Sequence, residues 1–304
     1  LAEGRVRYGL MLREDGHVMD DGTCARLGSA HYLVTTTTAA AGQVMKHMDF
    51  ALQVLRPDLD ARAVSVTEQW AQFAVAGPKA RDLLAGLLGT VPDLPFMGYA
   101  AVRVGGVDAR LFRISFSGEL SFEVAVPAGQ GRALWDALME AGAEFNATPY
   151  GTEALHVMRA EKGFIMIGDE TDGTVIPQDL GLDWAISKKK DDYIGKRAQE
   201  RSFMDNADRW KLVGLETLDG SVLPDGAYAP TDGTTRNGQR NTQGRVTSSY
   251  FSPTLGKGIA MGLVHKGPDR MGEVIDFPGT DGKTYQAKIV DPVFYDKEGA
   301  KQNV

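Results

Sequence analysis

The sequence predicts an α+β protein whose last third is an antiparallel β-barrel, and three observations carry that prediction. Up to about residue 206, strand-like runs rich in β-branched and apolar residues alternate with amphipathic helical stretches. Beyond it, short runs (WKLVGLET, GRVTSSYF, GIAMGLV, EVIDF, TYQAKIV) are separated by Gly, Pro and Asp turns, the pattern of a small barrel or sandwich. The chain has 304 residues, 43% hydrophobic and 24% charged, which is ordinary globular material in an amount suited to two or three domains. The expected division is an α+β region over 1–206 and a barrel over 207–304.

Taken in order, RYGLMLREDGHVMDDGTCARLG reads as two strands joined around Glu14, Asp15 and Gly16, and HYLVTTTT as a third. Val44, Met48, Ala51, Leu52 and Leu55 fall on one face of a helix. RAVSVTEQWAQFAVAG supplies one or two strands, and Pro78 suits the first turn of a helix through PKARDLLAGLL. AAVRVGGVDARLFRISF is a hairpin turning at Gly105 and Gly106, followed by the strand SFEVAVP. The next helix turns Leu134, Trp135 and Leu138 inward and ends near Gly142; another runs over about 151–162 and stops at Gly163. The polar run 230–244 has no core-forming residues and is expected to be a loop.

A net charge of −7 argues against a general nucleic-acid partner. No apolar run reaches about 18 residues and the N-terminus does not resemble a signal, so a soluble, cytoplasmic protein is expected. The single cysteine, Cys24, excludes an internal disulfide, and the five histidines have no ligand spacing, so no metal site is expected. Leu1 opens almost directly into a strand, as in a piece of a longer polypeptide. VGGV lacks the context of a phosphate loop, and Lys188, Lys189 and Lys190 read as a solvated turn.

Three clusters remain. Asp20 and Asp21 lie on one strand, where successive side chains face opposite ways, so both cannot reach solvent if one face is buried. In SFSGELSFE, Ser121 and Glu123 share a face with Phe122 on the other; Glu123 is either exposed or lines a cavity. MRAEKG closes a helix, where Arg159 and Lys162 complement the C-terminal dipole on the plainer reading.

In their order along the chain, YGLMLREDGHVMDDG, FAVAGPKARDLL, FSGELSFEVAVP, RAEKGFIMIGDETDGTVIPQDLGLDWAI, DYIGKRA and SSYFSPTLGKGIAMGLV resemble the landmarks of the folate-binding aminomethyltransferase family, which includes the glycine cleavage T-protein. Within it, RYGLMLREDG, TTTTAAAGQV, SVTEQWAQ and GTEALHVMRAEKGFIMIGDETDGTV look most like the C-terminal half of the sarcosine oxidase α subunit. The resemblance implies a T-protein-like three-lobed ring around tetrahydrofolate, with Leu1 inside a domain whose start lies upstream. It implies that Asp21 serves the reacting nitrogens of folate while Asp20 faces away, that Glu123 holds the pterin, and that Tyr8, Phe116 and Arg159 belong to the cofactor site. An ionised carboxylate suits both tasks: it accepts from adjacent ring N–H donors, and it can stabilise developing charge and manage a proton. The activity implied is conversion of the one-carbon unit from sarcosine demethylation into 5,10-methylenetetrahydrofolate. FMN, FAD and NAD are expected only in other parts of a complex with further sarcosine oxidase subunits.

The sequence also departs from the T-protein pattern. Phe116 and Ser117 stand where the motif has Tyr-Thr, and Ala154, Leu155 and His156 where it has Ala-Arg-Asp. A Thr within Thr35 to Thr38 replaces an expected Asn. These changes count against a stand-alone aminomethyltransferase fed by a lipoyl carrier. Asp192 stands at the Cys position of the folate-dependent iron–sulfur assembly factors, which counts against that non-enzymatic alternative. A degenerate scaffold domain is opposed by the retention of Asp21 and Glu123.

Overall fold

The computed structural model describes residues 1–304, which divide into two compact units. The first comprises Leu1–Met11, Asp20–Tyr150 and Gly299–Val304; the second comprises Leu12–Met19 and Gly151–Glu298.

The first unit is built on strands β1 (Val6–Leu12), β2 (Val18–Arg26) and β3 (Tyr32–Val34), helix α1 (Ala41–Phe50), strand β4 (Trp70–Ala76) and helix α2 (Ala80–Leu88). Strands β5 (Gly98–Val104), β6 (Val107–Arg113) and β7 (Ser121–Pro127) and helix α3 (Gly131–Gly142) complete it. The tip of the β1–β2 hairpin is the segment grouped with the second unit. β1, β2 and β3 form one sheet in that order; β4, β7, β6 and β5 form a second, wholly antiparallel one. The β5–β6 turn places Gly105 and Gly106 at φ 54° and 84°, the paired positive values a tight hairpin turn needs and glycine takes without strain.

Strand alternation gives the second sheet two different faces. Phe122, Val124 and Val126 of β7 join Leu111 of β6, Leu83 and Leu84 of α2, and Leu134 and Leu138 of α3 in one core. Each such side chain taken fully out of water contributes about 1.5–3 kcal/mol. The opposite face carries Trp70, Gln72, Ala74 and Ala76 of β4, Ser121, Glu123 and Ala125 of β7, Arg110 and Phe112 of β6, and Tyr99 of β5. Phe112 and Tyr99, with ring centroids 5.1 Å apart, pack with Val6 and Ala25 and cover one end of this face. Gln72 and Ala74 remain exposed.

The second unit holds helices α4 (Thr152–Glu161) and α5 (Lys196–Gln199) and strands β8 (Trp210–Thr217), β9 (Tyr228–Thr234), β10 (Arg240–Ser252), β11 (Lys257–His265), β12 (Val274–Pro278) and β13 (Thr284–Val290). The strands run in the order β12-β13-β8-β11-β10-β9, and β12 comes back against β9, so the antiparallel sheet is a nearly closed barrel. Val213, Leu215, Phe277 and Ile289 fill it. Closure removes most of the unpaired edge a six-stranded sheet would expose.

Several local expectations need correction. The run 230–244 is not a loop: it supplies most of β9 and the start of β10, a hairpin turning at Asn237 and Gly238 with Thr235 N–H donating to Gln239 O at 2.7 Å. Both of its faces are solvated, so polarity did not mark it as irregular. The amphipathic helix is right for Val44, which is buried, and wrong for Leu55, which is exposed. The regular α-helix ends at Phe50 and a wider turn over Ala51–Leu55 takes its place, shifting the later residues off the buried stripe. Trp135 is 37% exposed yet packs against Phe73, centroids 5.5 Å apart. Apart from these corrections, contacts place residues 151–206 in the same compact unit as the barrel, while the expected division by sequence texture falls at 206/207. No helix is long and apolar enough to cross a membrane.

Candidate functional site

Asp20 and Asp21 part as strand geometry requires. Asp20 is fully buried and accepts from Thr37 twice, from the hydroxyl at 2.7 Å and from the backbone N–H at 3.1 Å. Its role is to tie β2 to the segment after β3; the Thr run that replaces the expected Asn supplies the donor. Asp21 is half-buried and accepts from the Tyr8 hydroxyl at 2.8 Å across the β1–β2 pair. Desolvation pushes its carboxyl up to about 6; the Tyr8 hydrogen bond opposes the rise and the Asp20 charge adds to it. The Tyr8 hydroxyl is itself raised, first by burial and then by Asp21.

Gly22, next along β2, explains how closely that strand is held. A Cβ there would stand 1.9 Å from Thr35 O, so only glycine admits the approach. Thr35 also receives the Thr23 N–H at 2.8 Å.

Glu123 lies in the middle of β7, opposite Ala74 of β4. Gln72 Nε2 donates to its Oε2 at 2.8 Å, while Oε1 has no protein partner and is not sealed from solvent. The carboxyl is raised, chiefly by desolvation, with the Gln72 bond pulling the other way. Partial exposure together with strong desolvation describes a group lining a recess. On the β4 side it faces the methyl group of the exposed Ala74, and on the β6 side it faces Phe112. Burial raises the Tyr150 phenol, and the Glu123 charge adds to that.

Phe116 sits half-buried in the loop leading to β7, anchored by Gly118 N–H donating to the buried Ser115 hydroxyl at 3.0 Å. Tyr8, Asp21, Phe116 and Glu123 thus all belong to the first unit. Arg159 belongs to the second and is fully buried near the end of α4. Its Nη1 donates to Glu170 at 2.7 Å, and its Nη2 donates to Ser248 at 2.6 Å and Asp169 at 3.0 Å. Glu170 also accepts from Thr247 at 2.8 Å and Met166 N–H at 2.8 Å. These contacts make Arg159 the centre of an internal network, more than the dipole complement at a helix end that the plainer reading gave it. Glu161 and Lys162 are likewise engaged, with Ser252 at 2.6 Å and Asp296 at 3.4 Å.

Sequence reasoning missed Gln72 and Tyr150. Gln72 is 51 residues from Glu123, and only the β4–β7 register brings the two together.

A family model described as the GCVT N-terminal domain matches residues 1–190, and one described as the glycine cleavage T-protein C-terminal barrel domain matches residues 211–296. The chain belongs to the glycine cleavage T-protein family. Among its relatives in that family are the sarcosine oxidase α subunits of Corynebacterium sp. strain U-96, 42% identical, and Rhizobium meliloti strain 1021, 44% identical. All of this chain aligns to them, yet it spans only 32% and 31% of their lengths. The aminomethyltransferase of Thermotoga maritima is 30% identical over 97% of this chain and 77% of its own. The crystal structure of the Bartonella henselae glycine cleavage aminomethyltransferase superposes with a TM-score of 0.84, covering 98% of this chain and 78% of that one at 24% identity. That superposition establishes the T-protein fold.

Proposed function

We propose that the first unit binds tetrahydrofolate and that the chain is the folate-dependent portion of a sarcosine oxidase α subunit, forming 5,10-methylenetetrahydrofolate from the one-carbon unit of sarcosine demethylation. The observation that carries this reading is Glu123: a half-buried carboxylate between the exposed Ala74 and Phe112, with one oxygen fixed by Gln72 and the other open. A reduced pterin presents adjacent N–H donors, and an oriented acceptor of this kind fits them. When bound, tetrahydrofolate supplies the nucleophilic nitrogens that take up the one-carbon unit.

The chain's own residues do the rest. Gln72 fixes the Glu123 carboxylate so that its open oxygen receives ring N–H donors. Tyr8 holds Asp21 in one orientation at 2.8 Å. Asp21, with its carboxyl near 6, is poised to take a proton at neutral pH, since a general base works best with a pKa close to the operating pH. Such acid–base help is typically worth about 10²–10⁴-fold in rate. Phe116 lies in the loop that sets the start of β7, and Arg159 acts from the second unit as a structural residue. Flavin and NAD sites, and the other sarcosine oxidase subunits, belong on this reading to the remaining two-thirds of the relatives' length and to their partners. The higher identity to the sarcosine oxidase subunits favours this source of the one-carbon unit over a lipoyl carrier.

Anaerobic calorimetric titration with tetrahydrofolate tests the reading. Wild type binds, and Glu123→Ala binds about ten- to hundredfold more weakly, the value of one charge-assisted hydrogen bond. Asp21→Ala binds and does not accelerate methylene formation from formaldehyde above the rate of the uncatalysed condensation. Folded wild-type protein that takes up no tetrahydrofolate would overturn the proposal.

A further inference from the structure

Most buried cations in this chain are satisfied within the protein: Arg159 has Glu170, Arg209 has Asp179, Lys162 has Asp296, and Arg113 donates to the carbonyls of Leu94 and Gln302. Arg110 of β6 has neither an ion-pair partner nor a hydrogen-bond acceptor. It is half-buried and desolvated, and only the Tyr99 phenol offsets that desolvation. The nearest acid along its strand, Asp108, is taken by Arg103 at 3.2 Å. None of the Arg110 nitrogens is sealed without a partner, so the unpaired donors open onto free space.

Trp70 holds the guanidinium in place. The guanidinium carbon lies 3.6 Å from the Trp70 ring centroid, the distance of direct stacking on the ring's negative face. Sheet register explains how residues two strands apart meet. Arg110 pairs with Ala125 of β7, and Gln72 of β4 pairs with Ala125 from the other side. A methyl group at 125 leaves room for the Arg110 stem to pass over β7 and reach Trp70, which shares a face of β4 with Gln72. The next row along is Ala74–Glu123–Phe112. A flat, immobilised fork of donors, lacking a counter-charge, therefore sits one row from the Glu123 recess.

We propose that Arg110, stacked on Trp70, is a subsite for a carboxylate group. The proposal rests on the reading of this face as the ligand-binding face. The planar fork of a guanidinium matches the two oxygens of a carboxylate, and stacking removes the freedom that would otherwise be lost on binding. Two sources have this chemistry: the glutamyl tail of tetrahydrofolate, and a small amino acid that donates the one-carbon unit.

Anaerobic titrations of the full chain separate them, with three probes: tetrahydrofolate, 6-methyltetrahydropterin, which has the ring without any carboxylate, and N-methylglycine added to protein saturated with that pterin. In Arg110→Met, tetrahydrofolate binding about ten- to hundredfold weaker with the pterin unchanged assigns the carboxylate to the tail. Unchanged tetrahydrofolate binding with N-methylglycine weakened by that factor assigns it to the amino acid. Arg110→Lys keeps the charge and stem without the fork; its severalfold loss carries the comparison if Arg110→Met does not fold. Wild type that binds both ring compounds, with no affinity altered in either variant, overturns the subsite alone. Wild type that binds neither ring compound overturns the reading of the face, and the subsite with it.

Discussion

Asp20 and Asp21 are chemically identical neighbours with opposite situations, and the difference comes from one step of strand alternation. Asp20 has two donors from Thr37 in a site closed to water, whereas Asp21 leans on the Tyr8 hydroxyl and has its carboxyl held near 6 against an ordinary 3.8. The folded state therefore holds the Asp21 proton more tightly than the unfolded chain does. Between about pH 4 and 6 the unfolded chain binds fewer protons, so stability falls as pH rises through that window and the full penalty persists above it. A rise of that size corresponds to about 2–3 kcal/mol, reduced by the water that reaches a half-buried group. Asp21→Asn is accordingly expected to raise stability at pH 7.5 by about 1–2 kcal/mol, to leave it unchanged near pH 3.5, and to abolish the acceleration of product formation over the uncatalysed condensation. Urea midpoints across pH 3.5–8 check this, and an Asn variant no more stable than wild type at pH 7.5 contradicts it. Strand alternation made the Asp pair legible in the sequence. Gln72 was not, because nothing local distinguishes it until the register of two distant strands is known.

At the scale of elements, α4 is fastened to β10 through one buried charge network. Arg159 and Glu170 are both fully buried, so each is acceptable only because the other is present, and Ser248 of β10 bonds to both at 2.6 Å. Removing one partner of a buried pair leaves an uncompensated charge and typically costs about 3–5 kcal/mol. Arg159→Met should therefore lower the unfolding free energy by about that amount, and Arg159→Met with Glu170→Met should recover part of the loss. Denaturant unfolding of the two variants measures this. A single variant as stable as wild type but unable to bind ligand would restore Arg159 to the binding site. The motif RAEKG gave the helix end and its Gly163 stop, with φ 67°, but not this pairing, whose members are 11 and 89 residues from Arg159. The same limit hid the β9–β10 hairpin. Its composition is that of a solvated loop, and the one local signal for a turn between strands is Asn237-Gly238. The barrel strands after it were legible because apolar alternation and turn residues agree in each.

At the scale of the molecule, the contacts group residues 151–206 with the barrel, whereas the texture of the sequence changes near 207. Texture reports the switch from mixed helices and strands to short strands. Compact units depend on which segments pack together, and α4 packs on β10 and β11. The expected site residues distribute unevenly over this division: Tyr8, Asp21, Phe116 and Glu123, with Gln72, Trp70 and Arg110, fall in the first unit, and only Arg159 in the second. A ligand held by the first set lowers the free energy of that unit's closed state and so suppresses its local openings. At a ligand concentration of about 100 times Kd, the added protection is about 2.7 kcal/mol, close to a hundredfold slowing of exchange for amides that exchange through the opening that releases the ligand. Hydrogen–deuterium exchange with and without tetrahydrofolate should show that slowing over β2, β4 and β7, and a much smaller change over β8, β11 and β13. Glu123→Ala should lose most of the protection at the same ligand concentration. Protection concentrated in the barrel strands instead would move the site out of the first unit and make the network around Arg159 the place to look for it.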